Sequence, residues 1–418
     1  MKALIGADII DGTGGPVLKD SAILIDDERI TEVGPRAAVT LPPNTEEINL
    51  SGLTLLPGLI DTHDHLAHKN YSLDSRWEIQ EPASVHHLKT AKAIEESLAA
   101  GYTCIRDAGG LDAGFKIAVD EGLIKGPRLL TSVAIVSPTG GIGDRVAPSG
   151  HRNVFITDPM HPNGVANGPE AIRALVRELV RVGADVIKFA TTGGASSRSG
   201  HGPKDIAFGF DEVKALVDEA RSQEKYTMCH AVGGPGLRMC IEAGVGSVEH
   251  ACYLAEDPDL AKMMADHNTF FTPTFEVYEF HSTISAPHIV ARAKELMQIH
   301  QESLHLAVSA GVKVSSGTDA GGFVHGDNAR EIELMVERGL SNMQAIQTAT
   351  GWAAECIGQE KNFGTVKKGL YADFLVVDGD PLKDINVLRN KEGFKMVMKG
   401  GVAYIDNLPV GEPQAVGD

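Results

Sequence analysis

The chain has 418 residues, 43% hydrophobic and 22% charged, with 38 Lys+Arg against 56 Asp+Glu for a net charge of −18. That apolar share builds a core and excludes disorder as the dominant state, and the length allows two or three domains or one large α/β barrel with an appendage. The acidic surplus argues against nucleic acid and anionic membrane as partners, and no apolar run reaches the roughly 18 residues of a membrane span.

In chain order, residues 1–56 read as short strands: KALIGADII, a Gly-rich turn, SAILIDDERITEVG and INLSGLTLLPG. The opening MKALIGADIIDGTGG is cut by Asp8 too early for a signal peptide. Residues 363–418 look alike, with ADFLVVDGD and FKMVMKGGVAYID. Both ends are therefore expected to form one small β-sandwich domain, 1–56 with 363–418, beside a different middle, 57–362. There the predicted strands are Leu56–Thr62, Thr103–Asp107, Arg128–Ala134, Asp185–Ala190, Tyr226–His230, Ser247–His250, Phe270–Thr274 and Val312–Gly317. The predicted helices include Ala91–Ala100, Pro169–Val182, Asp211–Gln223, Ile289–Ala310 and Asn328–Arg338. Such alternation predicts an α/β fold, a (β/α)8 TIM barrel. An open doubly wound sheet is the rival, but no GxGxxG follows a strand. The five cysteines (Cys104, Cys229, Cys240, Cys252 and Cys356) are odd in number and lack a CxxC pair, so they read as reduced thiols of a cytoplasmic protein.

Barrel enzymes place their chemistry at the C-terminal ends of the strands. The first strand ends in Asp61-Thr62-His63-Asp64-His65, and His at i and i+2 of an extended strand share a face. Alone, that pair is a weak sign of metal. The fourth strand carries Lys188 in DVIKFA. It is either a snorkelling lysine or one held neutral by burial, able to add CO2 and become a carbamate. His230, His250 and Asp319 end the fifth, sixth and eighth strands. The spacings, 42 residues from Lys188 to His230, 20 to His250 and 69 to Asp319, fit successive βα units with room for a seventh strand.

The combination resembles the amidohydrolase superfamily in its two-metal form. The motifs are PGLIDTHDH, GADVIKFATTGG, CHAVGG, SVEHACYL and SSGTDAGG, with CIRDAGG and the ending GTVKKGLYADFLVVDGDPLKDI. They are most similar to the branch of Xaa-Pro dipeptidases, N-acyl-amino-acid hydrolases and phenylurea or carbamate hydrolases. The resemblance implies that His63, His65 and Asp319 bind one divalent ion of the zinc type, and His230 and His250 a second. Carboxylated Lys188 would bridge them. Two such ions about 3.5–4 Å apart hold a hydroxide and polarise a carbonyl, and Asp319 would move the proton to the leaving amine. Relatives' habit implies a homo-oligomer acting on a small molecule.

Two departures bear on substrate. Dipeptidases of the branch place a histidine after Thr-Gly-Gly and a tyrosine soon after the fifth-strand His. Here those places hold Ile142 and Val232. The expected reaction is cleavage of an amide, urea or carbamate of a hydrophobic substrate, with Xaa-Pro or other dipeptides as the alternative. His68, Tyr278 and His325 join Ile142 and Val232 as candidate substrate contacts. His68 reads equally as a solvated loop residue, and Phe271, Phe275, Tyr278 and Phe280 equally as core. Arg145, Arg198 or His68 would be the cation for a substrate carboxylate. A mononuclear deaminase is a further alternative, though it needs no Lys188 and carries a Glu soon after the fifth-strand His. A non-enzymatic scaffold would have lost ligands, and none is lost. A metal count of two, one or none separates the three.

Overall fold

The computed structural model describes residues 1–67, 82–144, 162–197, 201–321, 323 and 325–409. The first part of the chain forms β1 (Lys2–Ile5), β2 (Asp8–Ile9), β3 (Ser21–Asp26), β4 (Arg29–Pro35), β5 (Glu46–Asn49) and β6 (Thr54–Pro57). The middle forms β7 (Leu59–Asp64), β8 (Tyr102–Asp107), β9 (Arg128–Thr131), β10 (Ile135–Val136), β11 (Val186–Ala190), β12 (Tyr226–Ala231), β13 (Ser247–His250) and β14 (Phe270–Thr272). The last part forms β15 (Phe374–Val377), β16 (Phe394–Lys399) and β17 (Val402–Asp406).

One sheet has the order β4-β3-β1-β5, and another, β17-β16-β15-β6-β2, draws strands from both parts. Its centre is the antiparallel pair of β15 and β6, with Leu375 opposite Leu56. Leu4, Ile23, Ile25, Leu55, Phe374, Val376 and Met396 bury one apolar cluster there, shared by both ends of the sequence.

The middle strands pair in parallel, as β7-β8-β9 and as β10-β11-β12-β13-β14. Their β-branched and aromatic runs are buried on both faces, as covered parallel sheets require. Helices cover them with apolar stripes. The Pro169–Arg181 helix buries Ile172, Leu175, Val176 and Leu179, the i, i+3, i+4, i+7 spacing of one face. Its Pro169 starts the first turn as expected.

Three predicted strands differ from those observed. Leu56 belongs to β6 and pairs with β15, and the chain breaks at Pro57-Gly58 before β7 begins. Arg128–Ala134 stops at Thr131 because Val133 takes a left-handed φ of 64°, and the chain then joins the neighbouring sheet at Ile135. Val312–Gly317 forms no ladder among the described residues. Isolated parallel bridges, Phe271 to Val314 and Asp64 to Ala320, and main-chain bonds such as the Thr62 N–H to the Ser316 carbonyl at 2.9 Å tie that segment to β14 and β7.

Candidate metal centre

Strand alternation sends His63 and His65 to one side of β7, and the backbone there is bonded to the segment carrying Asp319. The Asp319 N–H donates to the His63 carbonyl at 2.7 Å, and the His65 N–H to the Ala320 carbonyl at 2.8 Å. His63 Nε2 lies 3.6 Å and His65 Nε2 3.3 Å from Asp319 Oδ1. Ligand atoms of these three residues all fall within 4.8 Å of one another. Lys188 Nζ, buried on β11, lies 3.4 Å from His63 Nε2. The rings of His63 and His250 are 5.2 Å apart, and those of His230 and His250 4.4 Å. Of the six side chains expected at the site, His63, His65 and Asp319 thus cluster, Lys188 lies beside His63, and His250 lies between His63 and His230.

Each imidazole commits one ring nitrogen to the protein. His65 Nδ1 faces the Gly109 carbonyl at 2.8 Å, and His230 Nε2 faces the Gly193 carbonyl at 3.2 Å. A carbonyl only accepts, so both nitrogens carry protons. His250 Nδ1 sits 2.7 Å from Thr274 Oγ1, whose own hydrogen goes to the Pro273 carbonyl at 2.6 Å. His63 Nδ1 lies 2.7 Å from Glu249 Oε2. The opposite nitrogens, Nε2 of His63 and His250 and Nδ1 of His230, remain to offer lone pairs to a cation, and His65 Nε2 faces Asp319. Such outer bonds set the tautomer and aim of metal-ligating histidines.

Electrostatics agrees. Burial, then Lys188, holds His63 well below the ordinary imidazole value; burial, then His230, does the same to His250. Burial, then Lys188, lowers His230 to about 4. Burial also lowers His65, but the hydrogen bond and charge of Asp319 outweigh it and hold that ring up. Burial lowers Lys188 against the pull of Glu249 and Asp319. Three imidazoles held low, a fourth paired with a carboxylate, and a lysine inclined to lose its proton form a donor set that fits a divalent cation.

Two residues of this centre escaped the sequence reading. Glu249, which precedes His250 in SVEH, is fully buried and accepts from Arg106 Nη2 at 3.2 Å on its other oxygen. Arg106, from CIRD on β8, is also buried and gives Nε to the Thr62 carbonyl at 2.6 Å. The available signal was a charge of each sign inside otherwise apolar strands, a costly placement unless paired.

Backbone strain gathers at the same end of the sheets. His250 (φ 77°), Thr274 (58°) and Asp319 (56°) are non-glycine residues in the left-handed region, as is Val133. Such outliers persist where the surroundings over-determine them, often at functional sites.

The candidate substrate residues divide. Val232 and Tyr278 are buried in an apolar cluster with Ala195, Cys252, Tyr253 and Leu296. The Tyr278 ring stands edge-on to His250 at 6.1 Å. Ile142 is half-buried; a Cβ at Gly194 would lie 3.7 Å from Ile142 Cδ1 and 2.9 Å from His230 Cε1, so the three are neighbours. His325 is buried with Nε2 3.0 Å from Asp64 Oδ1. Burial and Asp64 push the nearby Asp61 carboxyl up to about 8. His68, Arg145 and Arg198 lie outside the described residues.

The amidohydrolase family profile matches residues 54–403. Ochratoxinase of Aspergillus niger is 30% identical over 417 residues, spanning 95% of this chain and 85% of its own length. A prolidase solved with N-methylphosphonate-L-proline is 32% identical, with a TM-score of 0.88 over 97% of this chain and 99% of its own. A Xaa-Pro dipeptidase solved with bound methionine is 30% identical, with a TM-score of 0.85 over the same shares, 97% and 99%.

Proposed function

The chain belongs to the amidohydrolase family, and from that premise we propose that it is a two-metal hydrolase cleaving the C–N bond of a small, largely hydrophobic amide, urea or carbamate. The observation that carries this reading is the convergence of His63, His65, His230 and His250, each with one nitrogen tied back, on Lys188 and Asp319. His63, His65 and Asp319 would hold one ion, His230 and His250 the other, with Lys188 as a carbamate between them. Zinc fits the donor set.

Bound divalent ions would supply a hydroxide nucleophile at neutral pH and polarise the scissile carbonyl. Asp319 takes up the proton of the attacking group and delivers it to the departing nitrogen, which is too basic to leave as an anion. Glu249 and the Gly109, Gly193 and Thr274 acceptors keep the four imidazoles aimed while this occurs. Val232 and Tyr278 offer apolar surface beside His250, worth about 25 cal/mol per Å2 covered. Ile142 places near His230 an aliphatic group, which offers a free carboxylate no hydrogen bond.

A dipeptidase is the second reading, favoured by the 32% identity to the prolidase structure. The two separate by kcat/KM. We expect aryl ureas, carbamates or acyl anilides to exceed Xaa-Pro dipeptides, and Ile142→His to improve dipeptide turnover. An Xaa-Pro dipeptide that outruns every other substrate would overturn the hydrophobic reading. One metal per chain, with deamination, would replace it by the mononuclear alternative.

The parallel strands and the 312–320 segment are read as one closed (β/α)8 barrel over 57–362, with a β-sandwich from 1–56 and 363–418. The five free cysteines support a reducing, cytoplasmic setting. A homo-oligomer is proposed with it, to be measured by sedimentation.

A further inference from the structure

We propose that Asn328 and His325 are positioning residues that fix Asp319 against the His63–His65 strand. This rests on the reading of Asp319 as a ligand and proton carrier. Main-chain bonds tie the Asp319 segment to β7, from the Thr62 N–H to the Ser316 carbonyl at 2.9 Å and from the Asp319 N–H to the His63 carbonyl at 2.7 Å, but they fix the backbone and not the direction of the carboxylate. It is nevertheless placed within 3.3–3.6 Å of two imidazole nitrogens, on a strained backbone.

A set of side-chain bonds from β7 adds to this main-chain pairing. Asp61 Oδ1 accepts from the Thr318 N–H at 3.2 Å, and Asp61 Oδ2 from the Thr318 hydroxyl at 2.8 Å. That pins the residue before Asp319. Asn328 lies beyond it and spends both amide hydrogens on β7, one on Asp61 Oδ2 at 2.8 Å and one on Asp64 Oδ2 at 2.9 Å. Its own oxygen accepts from the Gly326 N–H at 3.0 Å. His325 Nε2 completes the set on Asp64 Oδ1 at 3.0 Å. Asp319 is thus held between two anchored points, Thr318 and the His325–Asn328 pair.

Asp61, Asp64, Asn328 and His325 are all buried, and among the described residues no lysine or arginine pairs with either carboxylate. Among the described residues the Asn328 amide is the one side chain that bonds to both. Removing it leaves two buried carboxylates facing each other without that shared donor, a costly state. Asp64 stands between the two ligand histidines, so any shift of the pair reaches His63, His65 and Asp319 together. His325 on this account touches no substrate; it acts through Asp64. The acidic middle residue of HDH becomes the anchor for the segment after Asp319.

The test compares Asn328→Ala, His325→Leu and His325→Gln, whose amide can still donate to Asp64. Co2+ titration of the metal-free protein reads affinity and visible spectrum without substrate. Loss of such outer-shell bonds typically weakens metal binding about 10–100-fold. We expect that loss, with a changed spectrum, for Asn328→Ala and His325→Leu, and recovery to within about threefold of wild type for His325→Gln. With a turned-over substrate, kcat should fall and KM stay. Hydrogen exchange at the Asp319 amide should quicken in the two disruptive variants, and it is read whether or not metal binds. Wild-type protein that takes up no Co2+ would sink the metal reading and leave the exchange result to decide this one. Unchanged exchange and Co2+ binding in folded His325→Leu overturn the proposal. So does a raised KM with intact metal binding in both His325 variants, which would make His325 a substrate contact. If Asn328→Ala fails to fold, the His325 pair of variants carries the decision.

Discussion

Removing the charge of Glu249 separates two roles that this carboxylate combines. In Glu249→Gln the side chain keeps its shape, but Arg106 loses the carboxylate 3.2 Å from its Nη2 while only 1% of its side chain is exposed. Breaking a buried pair from one side costs about 3–5 kcal/mol, a large part of a typical stability of about 5–15 kcal/mol. The same change weakens the 2.7 Å contact that aims His63, and an outer-shell loss of this type lowers metal affinity about 10–100-fold. A double variant, Arg106→Met with Glu249→Leu, removes both charges and restores apolar packing, which is often neutral or stabilising. Urea denaturation of the metal-free proteins should therefore show the single variant strongly destabilised and the double variant recovered. Co2+ titration should show both weakened. If the double variant regained wild-type metal affinity along with its stability, Glu249 would be a structural residue only, and the aiming of His63 would need another source.

Other consequences follow from the same geometry. Lys188→Ala should lose most bound metal, whereas wild-type reconstitution should be aided by bicarbonate and show a carbamate signal with 13C-bicarbonate; a lysine that remains a free amine with two metals bound would contradict the bridge. Asp319→Asn should reduce kcat by about 10²–10⁴-fold with both metals retained, and near-normal turnover would reassign the proton. Glu331 accepts from the Phe275 and Glu276 N–H groups at 2.9 and 2.8 Å, and burial pushes it up from 4.5 to about 7. Its folded state therefore holds the proton more tightly than the unfolded chain, so its contribution is present below pH 4.5 and is lost as pH rises toward 7. Over that interval wild type should lose about 3 kcal/mol that Glu331→Gln does not lose, as measured by denaturation at pH 4.5 and 7.5.

The histidines were legible because their signal is local. Alternation pairs His63 with His65, and unit-length spacings bring His230 and His250 to the same sheet edge. Glu249 and Arg106 were not, because each partner is distant in sequence: Glu249 meets His63 across 186 residues and Arg106 across 143. His325 was read as a pocket residue from its loop position, and its bond to Asp64 depends on a fold that spacing does not reveal. The segment expected as a strand at Val312–Gly317 does bond to Phe271 and Thr62 on its two sides, but the pairing is cut to isolated bridges because the Ser316 N–H turns to the Thr348 carbonyl at 2.7 Å. The strand expected at Arg128–Ala134 was too long because nothing local marks Val133 for a left-handed turn.

The pairing of β6 with β15 has a consequence for how the protein is made. Leu55 and Val376 are partners in the completed sheet. At synthesis rates of about 5–20 residues per second, the earlier strand waits on the order of 15–60 s for the later one to be translated. During that interval its unpaired edge is a template for the wrong strand, the hazard that folded proteins hide by covering edges. The late strand thus acts as a clasp, and a ribosome that stalls before Phe374 releases a chain whose metal-centre residues are all present but whose β6 lacks its partner β15. Slow codons or a chaperone in that window would change the yield of soluble protein without touching a single residue of the metal centre.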